Sequence, residues 1–220
     1  RRQRQMCIRD RSEDIIKKCR DKNHIIATAE SCTGGMVASS LTSIPGSSEV
    51  FDRGFITYSN LSKSELLGID YDIINEHGAV SSETAIAMAL GAVNNSQARI
   101  SVSITGVAGP SGGTDINPVG KVYIATANDD KINCNEFNFD DKGRDFIRLA
   151  SIIATCDGST ALICIPSSLT FNFASSTKDP TVPMNSFRLS ALILALNTTL
   201  PPFSIGGRYL TFVYHYLLEH

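Results

Sequence analysis

The sequence predicts an α/β protein, a three-layer α/β/α sandwich with a mixed, mostly parallel sheet of about five strands. Apolar, β-leaning runs alternate with amphipathic helical segments throughout residues 12–155. The first run, "HIIATAES", is almost continuously apolar, which is typical of a strand buried on both faces of a parallel sheet. Two later runs, "GKVYIATAND" and "KINCNEFNFD", are joined by a short polar turn and therefore indicate an antiparallel hairpin.

The other elements follow in alternating order. A helix over "SEDIIKKCRDKN", capped by Ser12, precedes the first strand, and "GGMVASSLTSI" predicts a second helix after it. The second strand, "VFDRGFITYS", leads into a short helix, "SKSELLGI", with a capping box formed by Ser62 and Glu65. A well-capped helix over "SSETAIAMALGAVNNS" precedes a third strand, "RISVSITG", and "GRDFIRLASIIAT" predicts a final amphipathic helix.

Both ends of the chain lack this alternation. Residues 1–11 contain five arginines and no apolar period, so we expect a disordered or extraneous leader. Residues 156–220 are rich in Ser, Thr and Pro without a clean period, and we expect an atypical extension of unknown structure. The sequence therefore predicts one domain over residues 12–155, long enough to bury a sizeable core.

Composition excludes several classes of protein. A net charge of −2 over 220 residues provides no overall basic field for nucleic acid. No run reaches the roughly 18 apolar residues of a transmembrane helix, and the start lacks the apolar core of a signal peptide, so we expect a cytoplasmic protein. The six cysteines show no C-x-x-C pair and no zinc-ligand spacing, so we expect reduced thiols and neither a metal nor another cofactor.

Four segments fall where predicted strands end or where the last helix begins: "ESCTGG", "TYSNLSK", "ITGVAGPSGG" and "GRDFIR". Ligands of open α/β sheets bind beyond the carboxyl ends of the strands, so these segments predict a cleft with a nucleophile, a lysine and backbone donors. Taken alone, a glycine pair after a strand usually marks only a tight turn.

The segment "ESCTGG" presents three candidate nucleophiles, Ser31, Cys32 and Thr33. Ser31 follows the strand directly and can project from a rigid base. Gly34 and Gly35 allow the next stretch of backbone to approach a ligand closely. Because the first N–H groups of a helix lack intrahelical partners, those of residues 32–35 are candidate donors to an oxyanion.

Lys63 is the candidate base. We expect it in the first turn of a helix, where the helix dipole disfavours a cation and, together with burial, lowers the pKa toward the neutral amine. From position alone, a solvated surface lysine is the alternative. If Cys32 were the nucleophile, it would need a histidine partner, and only His77 is plausibly placed.

The segment "GVAGPSGG" is a candidate phosphate cradle. Its glycines are Gly109, Gly112 and Gly113, which can present several N–H groups to an anion. Arg144 opens the last helix and can pair with a phosphate through its planar guanidinium. Alternatively, Arg144 is a surface arginine paired with Asp140 or Asp145.

Together the motifs "TAESCTGG", "GSSEVFDRGFITYSNLSK", "HGAVSSETA", "SITGVAGPSGG" and "PVGKVYIA", followed by "GRDFIR", occupy Ser12–Thr155. In their order and spacing the chain resembles the CinA C-terminal domain family, the nicotinamide-nucleotide amidases, in the form that lacks a separate amino-terminal domain. The resemblance implies hydrolysis of nicotinamide mononucleotide to nicotinic acid mononucleotide and ammonia. It also implies a Ser–Lys mechanism without a metal or cofactor, and a homo-oligomer.

The resemblance assigns roles to single residues. Ser31 is then the nucleophile, Lys63 its base and Cys32 a packing residue. Tyr58 lines the site and holds Ser31 or the nicotinamide ring, and the hydroxyl of Thr105 lies near the Ser–Lys pair. The residues expected to contact substrate are Glu30, Gly106, Gly109, Gly112, Gly113 and Arg144. Of these, Glu30 is expected to orient Lys63 or the substrate carboxamide.

Two other interpretations of the sequence stay open. The same cleft can hold a phosphate ligand without chemistry, as a nucleotide-binding module. The chain can also be a non-functional product in which the leader and the extension prevent folding. In the family the last helix runs on, whereas Gly and Pro break it here after "RLASIIAT".

Overall fold

The computed structural model describes residues 2–128 and 131–156 of the chain. Its α-helices are α1 Arg2–Asp21, α2 Met36–Thr42, α3 Asn60–Leu67, α4 Tyr71–His77, α5 Ser82–Asn94 and α6 Arg144–Cys156. Its strands are β1 Ile26–Glu30, β2 Phe51–Ile56, β3 Ile100–Gly106, β4 Lys121–Asn128 and β5 Ile132–Asn138. A 3₁₀ turn, Ser47–Glu49, lies between α2 and β2.

The five strands form one mixed sheet in the order β2-β1-β3-β4-β5. β1 pairs in parallel with both β2 and β3, whereas β4 is antiparallel to both β3 and β5. Four strands therefore run in one direction and β4 runs against them. The predicted α/β class, the mixed five-stranded sheet and the late hairpin are confirmed.

Helices cover both faces of the sheet, which gives the predicted three layers. α1, α2 and α6 pack together on one face, and α3, α4 and α5 pack together on the other. Successive residues of a strand point to opposite faces, so Ile26 of β1 joins the core under α1 and α2, while Ala27 joins the core under α5. The carboxyl ends of β1 and β3 lie side by side at one edge, next to the end of β2.

α5 lies close against the sheet because small side chains face each other there. Ser101 and Ser103 of β3 donate their hydroxyls to the carbonyls of Ala89 and Ala85 in α5, at 2.6 and 2.5 Å. These bonds satisfy fully buried hydroxyls and fix the height of α5 above the sheet. The loop that precedes α5 is thereby held beside the end of β3.

The amino-terminal region differs from the sequence prediction. α1 begins at Arg2, so the disorder predicted for residues 1–11 was wrong for residues 2–11. Ser12 does not cap the helix and is fully buried within it. Ile8, Ser12 and Ile15 recur at helical spacing, and Ile8 packs against the core under α1. Arginine is compatible with a helix, but a short polar segment is marginal without tertiary contacts, and this packing supplies them.

α4 was not predicted. It has only seven residues, with Ile74 as its buried residue, so it is too short to show a hydrophobic period. Asp70 caps it by accepting a hydrogen bond from the N–H of Asp72 at 3.0 Å. In the sequence, Asp70, a good capping residue, is the feature that could have predicted the start of this helix.

The extension predicted for residues 156–220 lies outside the described residues, apart from Cys156, where α6 ends. The five cysteines among the described residues are free thiols. Within the same residues, no helix combines the length and the apolar character that crossing a bilayer requires.

Candidate active site

Ser31 lies in a tight turn between β1 and α2. Its N–H donates to the carbonyl of Ile104 in β3 at 2.9 Å, which extends the strand pairing one residue beyond β1. Its carbonyl accepts from the N–H of Gly34 at 3.1 Å. Gly34 and Gly35 have φ values of 62° and 92°, which glycine adopts far more readily than other residues. Ser31 is therefore fixed through both of its peptide groups at the carboxyl edge of the sheet.

Lys63 brings its amine to Ser31 from α3. The residue is 1% exposed, and its Nζ lies 3.3 Å from Ser31 Oγ. Nζ also donates to the carbonyl of Thr57, just beyond β2, at 2.9 Å. Among the described residues, no Asp or Glu pairs with this amine. The structure thus brings together the predicted nucleophile and base.

The surroundings of Lys63 favour its neutral form. Burial lowers its pKa below the ordinary value of 10.5, because a desolvated site disfavours the ammonium ion. An ionised Cys32 would oppose this shift, but burial raises the pKa of the Cys32 thiol to about 12. Cys32 therefore stays a neutral thiol at neutral pH, which suits a packing residue better than a nucleophile.

The cap of α3 lies one turn earlier than predicted. The Ser59 hydroxyl accepts from the N–H of Ser62, and the Ser62 hydroxyl accepts from the N–H of Ser59, both at 3.1 Å. The capping box predicted for Ser62 and Glu65 was therefore wrong. Lys63 is thus the fourth residue of α3, its N–H bonds to the Ser59 carbonyl, and burial is the main cause that lowers its pKa.

The Glu30 side chain contacts the backbone that follows Ser31. It is 0% exposed and lies against the start of α2. Oε2 accepts from the N–H groups of Gly35 and Val37 at 3.0 Å, and Oε1 accepts from that of Ala38 at 2.8 Å. Both oxygens thus accept from backbone donors, and the side chain makes no hydrogen bond to Lys63.

The same contacts narrow the set of possible oxyanion donors. The N–H groups of Gly34 and Gly35 already donate, to the turn itself and to Glu30, so these two predicted donors are in use. The N–H of Thr33 has no acceptor within the described part of the chain, and the N–H of Cys32 contacts only the thiol of its own residue. These two groups, directly after Ser31 in the chain, are the remaining candidates.

Arg144 links two predicted site residues. Its Nη1 donates to the carbonyl of Gly109 at 3.0 Å, and its Nη2 donates to the hydroxyl of Tyr58 at 2.9 Å. The predicted alternative, pairing with Asp140 or Asp145, does not occur. Both acceptors are neutral, and within the described residues no carboxylate pairs with Arg144, so its positive charge is uncompensated there. Tyr58 therefore holds Arg144 and not Ser31, and its ring is 61% exposed.

Thr105 and Gly106 end β3 next to the turn of Ser31. The Thr105 hydroxyl donates to the carbonyl of Ala79 at 2.6 Å, which fixes the loop before α5, and it makes no bond to Ser31 or Lys63. A Cβ at Gly106 would lie 2.7 Å from the Lys121 carbonyl oxygen, so close packing on β4 accounts for this glycine. These contacts explain why a threonine and a glycine stand here, without the predicted contacts of Thr105 with the Ser–Lys pair and of Gly106 with the substrate.

The glycine-rich loop follows β3. Gly109 and Gly112 have φ values of 72° and 89°. The N–H groups of Gly112 and Gly113 donate to no acceptor in residues 2–128 and 131–156. Since Arg144 binds the Gly109 carbonyl, the loop carries free N–H groups close to an uncompensated cation. This is the chemistry that an anion requires.

Arg148 was missed by sequence reasoning. It lies one helical turn after Arg144 on α6, and its Nη2 donates to the carbonyl of Thr33 at 2.9 Å. Its Nε is buried without a partner among the described residues. The quoted motif "GRDFIR" contained both arginines, and their four-residue spacing, which places them on one helical face, was the available signal.

Comparison with known proteins identifies the family. The sequence model of the CinA C-terminal domain matches residues 9–160, well over half of the chain. The chain belongs to the CinA C-terminal domain family. A CinA-like protein of Geotalea uraniireducens is 45% identical to it over 138 residues, which cover 63% of this chain and 33% of that protein. The chain spans about a third of the length of the curated relatives it matches.

Solved structures of CinA proteins share the fold. The competence/damage inducible protein CihA from Agrobacterium tumefaciens is 41% identical, with a TM-score of 0.69 over 71% of this chain and 95% of that chain. A CinA superfamily protein from Escherichia coli is 27% identical, with a TM-score of 0.66 over 68% of this chain and 87% of that one. The resemblance to the CinA C-terminal domain family is therefore confirmed.

Proposed function

We propose that this CinA C-terminal domain hydrolyses the carboxamide of nicotinamide mononucleotide to nicotinic acid mononucleotide and ammonia. The observation that carries the proposal is the 3.3 Å contact between Ser31 Oγ and the Nζ of Lys63. That amine is buried, and no carboxylate pairs with it in the part of the chain that the structure describes. A buried lysine of this kind can act as a neutral base toward a serine, which amide hydrolysis needs.

The proposed reaction has two stages. The Ser31 oxygen attacks the carboxamide carbon while its proton passes to Lys63 Nζ, and the N–H groups of Cys32 and Thr33 stabilise the oxyanion. The C–N bond then breaks as Lys63 returns the proton to the departing ammonia. Water attacks the carbon of the resulting ester while Lys63 accepts one of its protons. The bond between that carbon and the Ser31 oxygen then breaks, Lys63 returns the proton to the Ser31 oxygen, and the acid is released.

The rest of the proposed site recognises the nucleotide. Arg144 binds the phosphate with the free N–H groups of Gly112 and Gly113, because its charge is otherwise met only by neutral oxygens. The exposed ring of Tyr58, beside Arg144, packs against the pyridine ring. We also propose that the domain acts in pyridine nucleotide recycling in the cytoplasm, as a homo-oligomer.

Ammonia release from nicotinamide mononucleotide by the 220-residue chain tests the proposal. We expect Ser31→Ala to lower the rate by about 10³-fold or more, because the Ser31 hydroxyl is the side-chain nucleophile that hydrogen-bonds to Lys63 Nζ in the described residues. Cys32→Ala is the matched control at the next position, and it should retain activity within about threefold because its thiol stays protonated.

Two outcomes contradict this assignment. Full activity of Ser31→Ala rejects the nucleophile, and a large loss in Cys32→Ala would transfer the role to the thiol. Calorimetry distinguishes the amidase from the remaining alternative, a nucleotide-binding module without catalytic activity. Binding of nicotinamide mononucleotide without turnover by the intact chain would support that alternative against the amidase.

A further inference from the structure

We propose that Glu30 is a positioning residue for this reaction, which holds the turn of residues 31–35 in the arrangement that presents Ser31 to Lys63. The inference rests on the proposed amidase function. Glu30 touches neither the Ser31 hydroxyl nor Lys63, so it would act through the backbone it binds.

The first argument is the way in which the Glu30 carboxylate is satisfied. It is 0% exposed, and no cation pairs with it in the described residues. A buried carboxylate is strongly unfavourable unless charged or hydrogen-bonding partners replace the lost water. Three backbone N–H groups do so here, those of Gly35, Val37 and Ala38. Bonds to an ionised acceptor are stronger than bonds between neutral groups, so this part of the backbone is held firmly.

The second argument concerns the backbone N–H groups that these bonds leave available to an oxyanion. The unpaired N–H groups at the start of α2 would otherwise be available to any anion. Because Glu30 occupies those of Gly35, Val37 and Ala38, a developing oxyanion can find donors only earlier in the turn. Glu30 thereby confines the oxyanion to the N–H groups next to Ser31, those of Cys32 and Thr33.

The third argument connects Glu30 to both reacting groups. Its side chain fixes the far end of the turn that carries Ser31. Its own carbonyl accepts from the N–H of Thr57 at 2.9 Å, and the Thr57 carbonyl accepts from Lys63 Nζ. One residue therefore anchors the nucleophile from one side and the base from the other. A displacement of about 1 Å between such groups can cost two orders of magnitude in rate.

Glu30→Gln in the full chain tests the proposal. The glutamine keeps one acceptor oxygen and places an NH₂ donor against a backbone N–H, so the turn loses part of its support. We expect kcat for ammonia release to fall by about ten- to a hundredfold, with KM for nicotinamide mononucleotide changed less than about twofold. The pH midpoint set by Lys63 should not move. Glu65→Gln, which removes an exposed carboxylate on α3, is the matched control and should behave as wild type.

Two results of this experiment overturn the proposal. A wild-type kcat in Glu30→Gln would show that the carboxylate serves stability alone. A shifted pH midpoint would make Glu30 an electrostatic partner of Lys63, which is a different role.

A second measurement needs no variant and does not depend on turnover. Amide exchange of the unaltered chain is followed by NMR, with and without nicotinic acid mononucleotide. We expect the amides of Gly35, Val37 and Ala38 to be protected in both cases, and the resonances of Cys32 and Thr33 to shift on binding. Rapid exchange at the first three positions overturns the proposal. If the wild-type chain releases no ammonia, the proposed function fails, and the exchange pattern alone decides whether Glu30 holds the turn.

Discussion

Replacing Lys63 by methionine should stabilise the domain while it abolishes ammonia release. Lys63 is 1% exposed, and its amine meets only a carbonyl and a hydroxyl, so the native state has no charge to offset an ammonium there. The unfolded chain holds the same ammonium in water at no cost. A methionine side chain has similar length and no charge, so it removes this penalty.

The size of the effect follows from the contacts that change. Replacing buried charges by apolar side chains stabilises proteins by up to about 1–4 kcal/mol. The carbonyl of Thr57 loses its donor, which costs about 1 kcal/mol. A net gain of up to about 3 kcal/mol remains. For a unit of roughly 150 residues this raises Tm by up to about 12 °C.

The gain should depend on pH in a defined direction. The folded-state pKa of Lys63 lies below 10.5, so between these two values the unfolded state binds the proton and the native state does not. Wild-type stability therefore rises with pH across that window, relative to the methionine variant. The advantage of Lys63→Met is largest below the folded pKa and disappears as pH approaches 10.5.

Urea denaturation of both proteins at several pH values between 6 and 10.5 measures this difference, and ammonia release confirms the loss of activity. Lys17→Met, at an exposed position on α1, is the control and should change stability by less than about 0.5 kcal/mol. If Lys63→Met is less stable than wild type at pH 7, or if the difference does not shrink as pH rises, the amine is not a desolvated base.

Two further substitutions test the packing and the phosphate site. In Gly91→Ala the new Cβ would lie 2.4 Å from the carbonyl oxygen of Leu67. Urea denaturation should therefore show a net loss of stability of about 2 kcal/mol, although alanine has the better helix propensity. A gain in stability would contradict the close contact between α3 and α5. Arg144→Ala should raise KM for nicotinamide mononucleotide by about 10- to 100-fold and leave that for nicotinamide riboside nearly unchanged, whereas an equal effect on both would reject the phosphate role.

The sequence was most informative where burial is strongest. β1 is covered on both faces, so its apolar run identifies it without knowledge of its neighbours. α1 could not be delimited in this way, because residues 2–11 are polar and helical continuity depends on contacts such as that of Ile8 with the core. Short elements such as α4 carry too few residues for a period to appear.

The candidate site was predictable in its residue types and less so in its bonds. Ser31 and Lys63 were identified and do meet, yet the start of α3 was displaced because Ser59 and Ser62 are both good caps. Sequence position alone could not tell whether Ser59 or Ser62 begins the helix, because the start of α3 depends on the residue at which β2 ends. The contacts of the Glu30 side chain decide which N–H groups of the Ser31 turn stay free. No local sequence pattern predicts these contacts.

Glu30 and Lys63 are side chains of opposite charge type, and both are almost fully buried. The Glu30 main chain and the Lys63 amine both bond to Thr57, yet no ion pair joins the two side chains within the described residues. Pairing them would be the simplest way to reduce the cost of burying each. It would also hold Lys63 as an ammonium ion, because an adjacent carboxylate raises the pKa of an amine. The fold instead satisfies Glu30 with backbone N–H groups and leaves Lys63 with neutral acceptors. A purely structural pair of buried charges gains nothing from this separation, whereas a site that needs a neutral amine beside Ser31 depends on it.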